Sequence, residues 1–235
     1  MTIRLNGSTS GYTELDAPAV AGSNTLRLPT SNGSAHQLLK NGATAGQLEY
    51  GFAMPSSNGS AGQSLITDGS GNTSFGSSIV SGTAKASTSG TAIDFSPADG
   101  TGIPSWAKRI TVIFSGVSTS GTSSLLLQLG TSSGVESTGY TSTSYAQTNV
   151  VLTSTFGFIL NSTAVAATDA RHGLLTVANI TGNSWVAMGA TTVASGQLSS
   201  CTGTKQLSAA LDRIRITTVS GTDAFDAGLI NILYE

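Results

Sequence analysis

Leu28-Pro29-Thr30-Ser31-Asn32-Gly33-Ser34-Ala35-His36-Gln37 returns 26 positions later as Met54-Pro55-Ser56-Ser57-Asn58-Gly59-Ser60-Ala61-Gly62-Gln63. Each copy continues through an apolar pair (Leu38-Leu39, Leu65-Ile66), a turn dipeptide (Asn41-Gly42, Asp68-Gly69) and an aromatic-glycine close (Tyr50-Gly51, Phe75-Gly76). A repeat this short cannot bury its own apolar residues, so it must stack on a neighbour or on another copy of the chain. Within the second copy, Gln63-Ser64-Leu65-Ile66-Thr67 reads as a strand. It meets Asp68-Gly69, which accepts positive φ at a tight hairpin turn, and returns through Thr73-Ser74-Phe75. Two hairpins alone are marginal in water, whereas three chains wrapped together are stable. The pattern points to a shaft or collar rather than a pocket enzyme. Leu28, Leu38, Leu39, Tyr50, Met54, Leu65, Ile66 and Phe75 are the apolar residues expected to form its core.

Composition gives the fold class. Of 235 residues only 9% are charged, against about 25% in ordinary soluble domains. Ser and Thr together number 69, with 29 glycines. Disorder normally needs high net charge and few aliphatics, but here the formal charge is −2 and apolar clusters recur throughout. Hydroxyl residues and glycine are poor in helix interiors, while Thr, Val and Ile suit strands and Gly, Asn and Asp suit turns. An all-β chain follows. The slightly acidic balance provides no basic face for phosphate backbones, so no nucleic acid is expected as a partner. No apolar run approaches the roughly 18 residues of a membrane helix, and the first residues lack a signal-peptide core, so no membrane insertion is expected. Cys201 is the only cysteine, which excludes an intrachain disulfide and a thiolate metal cluster. The Asn-x-Ser/Thr triplets at Asn6, Asn32, Asn58, Asn72, Asn161 and Asn179 follow from the abundance of Ser and Thr.

Four regions are predicted. Residues 1–25 are a leader of extended chain and turns around Pro18; 26–76 hold the two hairpin repeats; 77–91, rich in Ser, Gly and Thr, read as a linker; 92–235 form the largest domain. In that last region alternating strands recur: Ile110, Val112 and Phe114; Leu125, Leu127 and Leu129; Phe156 and Phe158; Leu174 and Leu175 with Val177; Trp185 and Ala187 opposite Val186 and Met188; Ile214 and Ile216; Ile230, Ile232 and Tyr234 opposite Leu229, Asn231 and Leu233. Many short strands between Ser/Thr/Gly turns suit a jelly-roll-like antiparallel β-sandwich with a core of its own.

The module from Pro55 to Asn72 resembles the repeat of fibre and spike proteins of tailed bacteriophages. Gly11-Tyr12-Thr13-Glu14-Leu15-Asp16-Ala17-Pro18-Ala19-Val20-Ala21-Gly22 resembles a leader segment of structural proteins from phages that infect cyanobacteria. Ile103-Pro104-Ser105-Trp106-Ala107-Lys108-Arg109-Ile110 and the ending Leu229-Ile230-Asn231-Ile232-Leu233-Tyr234-Glu235 are similar to C-terminal domains in that group. The resemblance implies a homotrimer located in the virion and assembled in the host cytoplasm. Its repeats would be interwoven about a threefold axis, with β-sandwich heads beyond them. It also implies other virion proteins as partners, and host cell-surface polysaccharide. Long tail fibres carry a sizeable N-terminal docking domain, whereas here the leader comes almost first. Either the leader is the anchor, with Tyr12, Leu15, Pro18 and Val20 as its contact residues, or the protein sits on the capsid as a decoration, cement or head-fibre protein. A polysaccharide-degrading spike is the third reading.

Sites for chemistry are sparse, and no catalytic residue, metal or cofactor is expected. Gly130-Thr131-Ser132-Ser133-Gly134 matches a nucleophile elbow, with Asp169 and His172 in the right order, but an elbow needs a strand-to-helix turn. Asp94, Asp99, Glu136, Asp223 and Asp226 read as turn and strand-end carboxylates. His36 could reach a threefold axis, although a solvated loop is the simpler placement. Glycan recognition remains, because a sugar needs an aromatic platform and polar partners for its hydroxyls. Tyr140 and Tyr145, in the polar stretch Thr138–Asn149, are the glycan-binding candidates, with an edge strand or intersubunit contact as the alternative. Trp106 and Trp185 are assigned to core packing.

Overall fold

A computed structural model describes residues 3–16, 18–20, 22–161, 166–193 and 195–235. The chain forms two compact units, Met1–Ser78 and Ile79–Glu235. Its named strand pairs are all antiparallel, and the described helix is a single 3-10 turn at Pro97–Asp99.

The first unit is a series of three hairpins. Strand β1 (Ile3–Asn6) pairs with β2 (Tyr12–Leu15), β3 (Gln37–Asn41) with β4 (Leu48–Ala53), and β5 (Ser64–Thr67) with β6 (Thr73–Gly76). The leader is therefore more ordered than its glycines suggested. Arg4 lies over the Tyr12 ring at 3.9 Å and pairs with Glu14 across the hairpin.

The two sequence repeats fold with the same parts. The Gln37 and Gln63 side chains each accept a 2.7 Å hydrogen bond from the backbone N–H three residues earlier, at Ser34 and Ser60. A Cβ on Gly33 or Gly59 would lie 2.5 Å from the ring of Tyr50 or Phe75, so each Asn-Gly seats the aromatic that closes its hairpin. Isolated parallel bridges, Arg27 to Gln47 and Ala53 to Asn72, tie the chain entering each repeat to the returning side of its hairpin. Cross-strand pairing sets Leu39 opposite Tyr50 and Leu65 opposite Phe75. The structural partner of Leu65 is thus Leu39, and Ile66 corresponds to Lys40.

The turns depart from the tight type. In the second repeat five residues, 68–72, join the strands, and the Asp68 carboxylate organises them by accepting from the N–H groups of Ser70 and Asn72 and from the Asn72 amide. Those hydrogen bonds, with the Asn72 side chain foremost, hold the Asp68 pKa below the usual carboxylate value.

The second unit is built from two sheets. Its strands are β7 (Val80–Ser81), β8 (Lys85–Ala86), β9 (Ala92–Phe95), β10 (Arg109–Thr119), β11 (Leu125–Thr131), β12 (Gly134–Val135), β13 (Tyr140–Ala146), β14 (Val151–Ser154), β15 (Phe158–Ile159), β16 (Arg171–Thr181), β17 (Ser184–Val193), β18 (Leu198–Gln206), β19 (Arg213–Thr218) and β20 (Phe225–Tyr234). The nine-stranded sheet runs β14-β13-β18-β17-β16-β10-β20-β7, with β8 also pairing β20. The five-stranded sheet runs β12-β11-β19-β9, with β15 also pairing β11. One apolar core joins their residues: Phe95, Leu127, Leu129, Ile214 and Ile216 from the smaller sheet, and Ile110, Val112, Leu175, Val177, Trp185, Ile230 and Ile232 from the larger.

Of the expected linker 77–91, residues 79–91 belong to this unit. Strands β7 and β8 lie against β20, and buried Ser87 donates its N–H to Gly228 O and its hydroxyl to Ala227 O. Serine serves the interior elsewhere too. Ser142 and Ser144 of β13 point inward and return their hydroxyls to the carbonyls of Thr202 and Ser200, which removes the cost of burying them.

Candidate functional site

In the first unit no described residue is buried. Of the expected shaft-core residues, Leu28, Leu38, Leu39, Tyr50, Leu65, Ile66 and Phe75 are exposed in the single chain, and Met54 is half-buried. Leu28, Leu39 and Tyr50 gather around Pro29 in a shallow dent. The leader residues Tyr12, Leu15, Pro18 and Val20 are exposed as well, Val20 at 93%. Met1, Thr2, Ala17 and Ala21 of that segment lie outside the described residues. These hairpins have formed their backbone ladders and left their apolar side chains without cover.

The two tyrosine candidates part company. Tyr140 is 2% exposed and Tyr145 is 47% exposed. The Tyr140 ring packs edge-on to Phe158 at 5.1 Å, and its hydroxyl accepts from Leu129 N at 2.7 Å and donates to Glu136 O at 2.9 Å. Burial pushes its phenol pKa up. Tyr140 is a core residue and offers no platform to a ligand, which corrects the expectation for it. Tyr145 faces outward from the large sheet, with its hydroxyl on Asn149. It forms one wall of a trough of about 640 Å³, with Leu174 and Met188 opposite and Ala190 and Ser200 on the floor. Cross-strand pairing runs without a break from Val151 through Tyr145, Ser200, Ala190 and Leu174 to Ile113 and Asn231, an uncharged row seven strands wide.

The other candidate groups have structural partners. Gly130–Gly134 is a strand-turn-strand hairpin between β11 and β12, not a strand-to-helix elbow. Asp94 makes two 2.7 Å hydrogen bonds to Arg215, and Asp226 accepts from Ser118. Asp99 pairs with Lys85; partial burial opposes its ionisation, but hydrogen bonds from Lys85 and Thr101 outweigh it and bring the carboxyl to about 2. Glu136 meets the nearly buried Lys205 ammonium at 2.7 Å and accepts from Ser208; these bonds overcome partial desolvation and lower its pKa. His36 occupies a turn with φ 65°, and His172 Nδ1 accepts from Gly116 N. Cys201 is buried, and desolvation pushes its thiol up to about 12. Trp185 belongs to the core as expected, whereas Trp106 is exposed and touches Tyr234 edge-on. No group of three or more metal-ligating side chains occurs among the described residues.

Sequence reasoning placed Phe156 with Phe158 on a strand. The structure puts it instead at the tip of the β14–β15 loop, 56% exposed, beside a groove of about 500 Å³. The turn after β10 forms another part of the groove wall through Ser123 and Ser124, and the turn after β19 contributes Val219 and Ser220. The sequence carried no separating signal, because the same aromatic-glycine pair lies within strands at Tyr50-Gly51 and Phe75-Gly76.

Comparison with protein-family models, with curated proteins and with solved structures finds no match to this chain.

Proposed function

We propose that this chain is a non-enzymatic structural protein of a tailed-phage virion. It forms a homotrimer whose repeats intertwine into a short stalk and whose C-terminal units make up a host-contacting head. One observation carries the reading: the first unit has formed three hairpins yet buries none of its described residues, and leucines and aromatics remain exposed along it. Isolated two-stranded ribbons of this kind are marginal in water, so cover must come from other chains. Identical copies supply it most simply, because the residues to be covered recur with the repeat and closed symmetry brings like faces together.

The strand order supports a jelly-roll head. The path β7/β8, β9, β10, β11, β15, β16, β19, β20 crosses between the sheets at every step except β11 to β15, in the double Greek-key manner, with β12 an insertion that widens the smaller sheet and β13–β14 and β17–β18 insertions that widen the larger. Three heads on one stalk would convert weak single contacts into useful avidity, which suits a chain with shallow surface clefts. The Tyr145 trough is a glycan candidate of that kind.

Sedimentation equilibrium of the full chain tests the trimer, and a monomer with intact repeats would overturn it. Cryo-electron microscopy of virions tests the location. Density at the tail is the expected result, and density over the shell would replace host contact with capsid decoration.

A further inference from the structure

We propose that the groove beside Phe156 binds the ring of a neutral saccharide. The inference extends the host-contact reading and rests on it for the source of the sugar.

Phe156 is a large apolar side chain held out in water by a loop with little freedom. Its N–H donates to Ser154 Oγ at 3.1 Å, and its carbonyl accepts from the amide of Gln128, a buried residue, at 2.8 Å. The next residue, Gly157, sits so close to β11 that a Cβ would lie 3.0 Å from Leu127 O. A backbone already held in this way leaves little loop ordering to be done when a ligand stacks on the ring, which favours a weak ligand.

The polar wall is fixed in the same way. Asp223 Oδ2 accepts from Ser123 N at 2.9 Å, and Ser123 Oγ donates to Ser220 Oγ at 2.9 Å, so the turns after β10 and β19 are tied together before any ligand arrives. Between these walls the groove of about 500 Å³ is lined by side-chain hydroxyls, Phe156, Val219 and aliphatic carbons, and no charged side chain is among its lining. That volume lies within the roughly 300–1,000 Å³ of small-ligand sites.

This chemistry selects its ligand. A pyranose offers a C–H face for an aromatic ring and hydroxyls that both donate and accept, as Ser and Thr do. An anionic ligand would surrender its hydration here without meeting a positive charge, with the Asp223 carboxylate behind the serine wall. The position also fits, because the groove lies among loops that join strands of the two sheets, where rigid β-scaffolds present variable binding surfaces.

The test uses the full-length chain and saturation-transfer NMR with glucose, galactose, mannose and N-acetylglucosamine at millimolar concentration, with glucuronate as the charged control. At least one neutral sugar should bind through its ring C–H protons, more tightly than glucuronate. Phe156→Ala should weaken that binding about tenfold, the worth of one good aromatic contact. Phe156→Trp should preserve it, and both variants should retain the wild-type thermal midpoint. Equal binding by Phe156→Ala, equal binding of glucuronate, or no neutral-sugar binding would overturn the proposal. Adsorption to purified host envelope separates the two readings. Wild-type adsorption that Phe156→Ala leaves intact sinks the groove and spares host contact; no adsorption by the wild-type chain sinks both.

Discussion

Leu65 and Leu127 lie on short antiparallel strands in the same Ser/Thr-rich chain, yet Leu65 is 47% exposed and Leu127 is fully buried. Both have a cross-strand neighbour, Phe75 for Leu65 on its two-stranded ribbon and Ile216 and Phe158 on either side of Leu127. What differs is a second layer. Leu127 faces the strands of another sheet, whereas a lone hairpin has nothing across from its apolar face. Backbone pairing and side-chain burial are separate requirements, and the first unit meets only the former within one chain. The second unit carries its own cover, and in the proposed trimer the first unit takes its cover from the other chains.

The sharpest way to break this contrast is Leu65→Asp. In the proposed trimer it sets three charges into a shared apolar surface, at about 3–5 kcal/mol for each unpaired buried charge. Sedimentation should report monomers while the head keeps its own unfolding transition; a persistent trimer would mean that this face is not covered.

Phe95→Ala attacks the other side of the comparison. Removing that fully buried ring should cost about 3–5 kcal/mol, or about 10 °C in the melting temperature of the head, with no change in sedimentation.

A smaller effect is expected at the Glu136–Lys205 pair. Lys205→Met should destabilise the head by about 2 kcal/mol, less than for a fully buried pair because Glu136 keeps some contact with solvent. The folded-state pKa of Glu136 is depressed, so its contribution is complete above the ordinary value of 4.5 and is lost as pH falls through the lowered one. The melting temperature should fall with decreasing pH through that range in the wild type and fall less in Glu136→Gln.

Least of all, Asp68→Ala should loosen only the second repeat's turn. Its carboxylate has a depressed pKa, so that support also disappears on acidification, and hydrogen exchange at Ser70 and Asn72 should speed up with no change in the head.

The repeat was legible because its glycines and glutamines perform fixed local tasks, such as seating a ring or accepting from the backbone three residues back. The alternating runs around Ile110, Leu125 and Ile214 were legible because β-strands reverse side-chain direction at every residue. That alternation also held an unused clue: Tyr140 and Tyr145 are separated by an odd number of positions on one strand, so they must point to opposite faces. Composition hid the answer, since the inward positions between them are Ser142 and Ser144, polar residues satisfied by backbone carbonyls. Strands β7 and β8 escaped notice because two residues each are too few to show a period. Trp106 was assigned to the core because it stands beside Pro104 in an apolar stretch, but that proline belongs to a turn that leaves the ring beside Tyr234 at the surface. Phe156 was misread because loop and strand share the same residue types in this chain.

Strand β20 sits between β10 and the short pair β7 and β8, inside the larger sheet. During synthesis roughly 150 residues separate the emergence of Val80 from that of Tyr234, about 8–30 s at ordinary elongation rates. For that interval the head has a gap in its main sheet, while the hairpins upstream need only their immediate neighbours to form. In the proposed trimer, nascent chains on one messenger would meet through these ribbons before any head is complete, and the order of synthesis would set assembly ahead of head maturation.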